Sequence, residues 1–188
     1  MIQLHCTQKL LIKLPLQHDG YLPGKLTEPY IAKNDKPSLL SSWHANLVLL
    51  QQRQCALFVH DTTRFLVLVP ALKKKDFAEL DYWFVDTFMN TLLKTGVNNV
   101  IMKNAQAALA PLVCDSDCNR SVQGTLNHMK QDIDYKLYSD VLNISDLSAY
   151  QASAWLADRP CSAKGVKGCI WPIRAMHELL ANPDSRLH

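Results

Sequence analysis

The chain has 188 residues, 48% of them hydrophobic and 20% charged, with a formal net charge of +3. That balance buries enough apolar surface to offset chain entropy, which excludes global disorder, and the length fits one main core. The longest near-continuous apolar run, Phe65 to Leu72, is broken by Pro70 and is far short of the roughly 20 residues that a membrane-spanning helix needs.

The start, Met1 to Lys9, lacks the basic opening, apolar stretch and small-residue cleavage site of a secretory signal, so a cytoplasmic location is expected. With that location the six cysteines are read as reduced thiols, Cys6 and Cys55 among them as small core residues. Charge is zoned along the chain. Residues 1–75 carry 10 basic and 4 acidic side chains, residues 76–158 carry 5 and 11, and residues 159–188 carry 5 and 2. Such zones serve an acidic partner such as nucleic acid, or pair with one another across the fold.

In chain order, Ile2, Leu4 and Cys6 alternate with Gln3, His5 and Thr7, the period of a half-buried first strand. A short helical pattern follows over Gln8 to Leu14, and the proline-rich stretch from Pro15 to Pro37 reads as a long surface loop. Leu39, Trp43, Leu47 and Leu50 recur at three and four residues and predict a helix capped by Ser38 or Ser41. Arg53 to His60 and Thr63 to Val69 are rich in branched and aromatic residues around Asp61-Thr62, and predict a central β-hairpin covered on both faces.

Asp76 to Thr95 carries the strongest amphipathic stripe, with Asp76 and Glu79 as a capping box and Gly96 as its stop. A helix over Asn98 to Leu109, a strand at Leu112 to Cys114, and a helix capped by Asn119 and running to about Tyr138 come next. Helices at Asp146 to Ala157 and Pro172 to Ala181 complete the pattern, with a loop from Arg159 to Lys167 between them. The expected fold is α+β: a small, mostly antiparallel sheet with a central hairpin, packed by several helices and followed by a helical C-terminal extension.

Four separated stretches carry a resemblance: Leu4-His-Cys-Thr-Gln-Lys-Leu10, Trp43-His-Ala-Asn46, Cys55-Ala-Leu-Phe-Val-His-Asp-Thr-Thr-Arg64 and Arg120-Ser-Val-Gln-Gly-Thr-Leu-Asn127. Together they resemble a bacterial family of domains of unknown function, found alone and fused to other domains in plasmid, phage and mobile-element proteins. In that pattern the last stretch reads Arg-Ser-Val-Leu-Gly-Ser-Met or Leu-Asn-Asp, and Gln123 and His128 depart from it here. The resemblance implies a family-like domain over residues 1–139, with residues 140–188 as a helical extension packed on it, and brings no activity with it.

The chemistry-bearing grouping combines Thr7 and Lys9 at the end of strand one, Arg64 beside the hairpin turn, and Arg120 and Ser121 at a helix start. Cations and hydrogen-bond donors at a helix N-terminus suit a phosphate or carboxylate, with Gly124 allowing a backbone or ligand to come close. The same residues also serve as ordinary helix caps. His44 and His128 are candidates for moving a proton if the site is catalytic. Cys114 with Cys118, and Cys161 with Cys169, lack the spacing of a zinc knuckle, so no metal and no cofactor is expected.

Two functional readings follow. One is an accessory or binding protein of a bacterial mobile element or phage, acting through a protein or nucleic-acid partner and not through a membrane. The other is a metal-independent enzyme acting on a phosphate-containing nucleotide or nucleic acid.

Overall fold

A computed structural model describes residues 1–23, 37–162 and 168–183. Five strands, β1 (Ile2–Cys6), β2 (Trp43–Leu50), β3 (Arg53–His60), β4 (Leu66–Leu72) and β5 (Leu112–Asp115), form one sheet in the order β4-β3-β2-β1-β5. β2 pairs antiparallel with β3, and β3 with β4, whereas β1 runs parallel to both β2 and β5. The fold is α+β, and its sheet is mixed: antiparallel through the hairpin and β2, parallel where β1 joins β2 and β5.

The helices are α1 (Gln8–Leu11), α2 (Leu80–Lys94), α3 (Asn99–Ala108), α4 (Arg120–Ser139), α5 (Ala149–Ala157) and α6 (Pro172–Ala181). The residues from Asp76 expected to begin α2 form a 3-10 turn, Lys74–Glu79, and the Asp76 carboxylate accepts the Lys73 backbone N–H at 2.7 Å. Gly96, at φ +77°, ends α2 as its position required. The proline-rich loop expectation falls partly on residues 24–36, and the later loop partly on residues 163–167, both outside the described residues.

One expected element changes type. Residues 43–50 form strand β2, not a helix. Apolar residues lie on both faces of β2, so Trp43, Leu47 and Leu50 satisfy a helical spacing by chance while β1 and β3 flank the strand with complementary ladders. The hairpin is present, but its connection runs from Asp61 to Phe65, and β4 begins three residues later than the expected arm, at Leu66. β3 lies inside the sheet. β4 is an edge, shielded by α5, whose Ser153 hydroxyl oxygen accepts the Leu68 backbone N–H at 2.9 Å.

Each face of the sheet has its own core. Ile2, Leu4, Cys6, Trp43, Ala45 and Phe58 meet the stripe of α2 at Leu80, Phe84, Phe88 and Leu92, with Met176 and Leu180 of α6. Trp43 packs edge-on to Phe84 and Phe88, with ring centroids 4.9 and 5.6 Å away. On the other face Val48, Leu50, Leu57, Val59, Leu66 and Leu68 lie under Val122, Leu126, Met129, Ile133 and Leu137 of α4, joined by Ala152 and Leu156 of α5. Residues beyond 139 therefore contribute to both cores.

Alternation along β1 places Gln3, His5 and Thr7 on the α4 side of the sheet. The apolar cluster beneath α4 draws on β2, β3 and β4. The parallel half of that face is polar, and it adjoins the start of α4.

Candidate anion-binding site

The four stretches that carry the resemblance, 100 residues and more apart at their extremes, converge on the N-terminus of α4. β2 delivers His44 and Asn46, the hairpin connection delivers Asp61 and Arg64, β1 delivers His5 and Thr7, and α4 delivers Ser121. Thr7 donates its hydroxyl to Asn46 Oδ1 at 2.9 Å.

His44 is 2% exposed, and both of its ring nitrogens are engaged. Its Nε2 receives the Asn119 backbone N–H at 2.6 Å, so the proton of the neutral ring sits on Nδ1 and is donated to Asp61 Oδ1, also at 2.6 Å. Asp61 Oδ2 accepts from Ser42 at 2.7 Å. Burial works against ionisation of Asp61, but the hydrogen bonds from His44 and Ser42 prevail and hold its carboxyl below the usual range. His44, expected on a helix, is a strand residue, and its ring joins Asp61 to the start of α4.

One step along the same row of the sheet, His5 pairs with His44 in register, their ring centroids 4.8 Å apart. His5 Nδ1 lies 2.7 Å from Asp115 Oδ1. Asp115 is held in turn by Gln3 Nε2 at 2.8 Å and by the Asp117 backbone N–H at 2.9 Å. The row Asp115, His5, His44, Asp61 thus fixes the strand ends from which α4 departs.

Arg64 occupies the other side of the α4 start. Its backbone is left-handed, at φ +59°, where a side chain other than glycine's is strained. That turn sends Phe65 into the α2-side core while the guanidinium reaches Ser121 Oγ, 3.5 Å from Nη2. Arg64 is only 6% exposed, and among the described residues its Nε and Nη1 have no hydrogen-bond partner. Burial pushes the guanidinium down from its ordinary value, opposed by the nearby Cys161 and Asp61. A buried cation with unsatisfied donors is costly, and an anion brought to it recovers part of that cost.

Beside this corner lies a cavity of about 730 Å³ between α4 and the segment that follows α5. Ser121, Gly124, Thr125 and His128 form one wall, and Asp158, Arg159, Pro160 and Cys161 another. A Cβ built at Gly124 meets nothing within 4 Å, so this glycine permits no close backbone approach; it faces open space in the cavity wall. Arg159 bridges to Asp132 at 3.1 Å.

Of the five expected anion-binding residues, Arg64 and Ser121 come together. Thr7 donates to Asn46, and Lys9 and Arg120 are exposed and, among the described residues, make no hydrogen bond to that corner. His128 is exposed and lines the cavity. Asp61, His5 and Asp115 were missed. The signal for His5 was its place on the polar side of strand one, but Asp61 and Asp115 lie at strand ends, and only the sheet order brings them to the histidines.

Among the described residues no three His, Cys, Asp or Glu side chains are set to share an ion. Cys114 instead contacts Cys6, whose thiol is held far above its ordinary range by that hydrogen bond and by burial. Among the described residues no helix is long and apolar enough to cross a membrane.

A mixed sheet with a separate helical core on each face, and a buried arginine in the hairpin connection beside the start of α4, defines an α+β protein. The chain belongs to the family described as Domain of unknown function (DUF6933), whose family model matches residues 3–175. The match runs past residue 139, through α5 and into α6. No curated protein and no solved structure matches the chain.

Proposed function

We propose that the protein is a nucleic-acid-binding accessory protein that takes hold of phosphate at the Arg64–Ser121 corner. The observation that carries this reading is the buried Arg64 guanidinium, which has Nε and Nη1 unpaired among the described residues and Nη2 on Ser121 Oγ. The positive end of the α4 dipole adds to the attraction, and the basic zone of residues 1–75 supplies long-range steering. The setting is the one that the resemblance implies: the cytoplasm of a bacterium, in a protein of a plasmid, phage or other mobile element.

The test is binding of a labelled single-stranded oligonucleotide, followed by fluorescence anisotropy at low and moderate salt. Affinity is expected to fall steeply with salt, because phosphate contacts release counterions. Ser121→Ala is expected to weaken binding by about tenfold, equivalent to about 1.4 kcal/mol. Absence of binding at low salt overturns the reading in favour of a protein partner.

One observation favours a second reading, a metal-independent enzyme acting on a phosphate ester: His128 lines the same cavity as Ser121, two helical turns away. Turnover of a phosphate ester that is lost in His128→Gln, with binding retained, is the result this reading requires.

A further inference from the structure

We infer that His44 is an acid-sensitive latch: a second proton on its ring releases the first turn of α4 from the sheet. The release follows from the geometry of the ring alone. Its effect on phosphate binding rests on the Arg64–Ser121 reading.

Only a neutral ring holds the latch closed. Nδ1 carries the proton that goes to Asp61 Oδ1, so Nε2 is left as the acceptor of the Asn119 N–H, each bond being 2.6 Å long. A second proton has only Nε2 to go to, and an imidazolium has no acceptor to offer. The Asn119 N–H then faces another N–H, and the positive end of α4 faces a cation. Asp61, whose carboxyl is held below the usual range, remains a carboxylate while imidazoles titrate, so the charged ring keeps that partner. The proton thus turns His44 from a bridge between Asp61 and α4 into an ion pair with Asp61 alone.

The groups around the ring come from each neighbouring element. His5 of β1 lies 4.8 Å away, with Asp115 of β5 behind it, and β3 places Val59 opposite. Cys118, just before Asn119, has a thiol that burial pushes up and keeps neutral, while Asp117 and Arg120 are exposed. Arg64, in the same connection as Asp61, lies within its field. Asp61 and Asp115 attract a charge on the ring; Arg64, the start of α4 and a protonated His5 repel it.

What the proton frees is limited. Asn119 still accepts the Ser121 N–H through its side chain and the Gln123 N–H through its carbonyl, so the helix keeps its own caps. Val122 and Leu126 remain buried in the core beneath α4. The freed unit is the turn from Asn119 to Ser121, and with it goes the hydroxyl that meets Arg64.

The experiment is a nuclear magnetic resonance titration of the intact, isotope-labelled protein from about pH 8 to about pH 5, the range in which imidazoles change charge. As the His44 ring gains its Nε2 proton, exchange protection of the Asn119 amide is expected to fall by about tenfold or more, with the same midpoint, while the Gln123 amide keeps its protection. His5→Asn is expected to leave that transition in place, which separates the two neighbouring rings. His44→Gln offers an amide oxygen that does not titrate, and its Asn119 amide is expected to stay protected across the range. A charged His44 ring beside a protected Asn119 amide overturns the inference. So does a ring that stays neutral throughout, and so does a loss of protection shared by all core amides, which is unfolding and not release. Anisotropy of the labelled oligonucleotide tests the consequence: on acidification, affinity is expected to fall by roughly threefold or more in the natural protein relative to His44→Gln. Release of Asn119 with the same pH dependence of affinity in both proteins refutes the phosphate reading of Arg64 and Ser121 and leaves the latch standing.

Discussion

His44 Nε2 and the Asn119 backbone N–H form a 2.6 Å hydrogen bond in which a side chain of the sheet receives the amide that introduces α4. Helix starts are usually capped by their own flanking residues, and Asn119 does accept the Ser121 N–H in that way, at 2.8 Å. The bond from His44 does something different: it fixes where α4 begins relative to β2. Replacing His44 by alanine leaves the Asn119 N–H and one Asp61 oxygen without their partner in a part-buried place. The expected loss is about 2–4 kcal/mol, from two unsatisfied groups at about 1–2 kcal/mol each. Urea unfolding checks it, with a lowered midpoint and an unchanged slope; a midpoint equal to that of the natural protein refutes the anchoring role.

Asp61 gives the fold an acid-sensitive element. Its folded carboxyl lies below the ordinary value, so it is ionised in the native state under conditions in which an unfolded carboxyl begins to take up protons. The stability it contributes is therefore complete above the ordinary carboxylate value of about 4, and disappears as pH falls toward and through its lower folded value. Asp61→Asn removes that contribution at every pH. Between about pH 5 and pH 3 the natural protein should lose stability more steeply than Asp61→Asn does, as followed by chemical denaturation across that range. Parallel curves for the two proteins would show that the hydrogen bonds from His44 and Ser42 do not favour the ionised form.

Much of the fold was legible in the sequence because the signals were local. The alternation of β1, the stripe of α4 from Val122 to Leu137, the Pro172 start of α6 and the Gly96 stop all appear where side-chain period and backbone chemistry place them. β2 was misread because apolar residues fall on both of its faces, Trp43, Ala45 and Leu47 on one and Val48 and Leu50 on the other, and Leu39, Trp43, Leu47 and Leu50 then fit a helical period equally well. The parallel pairing of β1 was illegible for another reason. It depends on β2 and β5, which lie about 40 and 110 residues away in sequence, and nothing local distinguishes a parallel neighbour from an antiparallel one. The site divided in the same way. Arg64 and Ser121 were chosen for their chemistry and do meet, whereas Lys9 and Arg120, chosen for charge near the same motifs, are exposed. Charge is visible in a sequence; burial of that charge, at Arg64, depends on the turn at φ +59° and on the packing of α4.

Gly124 separates stability from binding. It lies within α4, where glycine is about 0.8–1 kcal/mol less favourable than alanine, and a Cβ added there meets nothing within 4 Å. Gly124→Ala should therefore raise stability by roughly 0.5–1 kcal/mol, seen as an increased urea midpoint. The new methyl group enters the cavity wall one turn after Ser121, close to the corner proposed to hold phosphate. Affinity for the labelled single-stranded oligonucleotide should fall by a few-fold in the same variant, roughly the effect of a 1 kcal/mol clash. A rise in stability with unaltered affinity would mean that the ligand never approaches α4 at this turn, and would place the contact outside the cavity. A fall in both would mean that the space beside Gly124 is used by the fold itself.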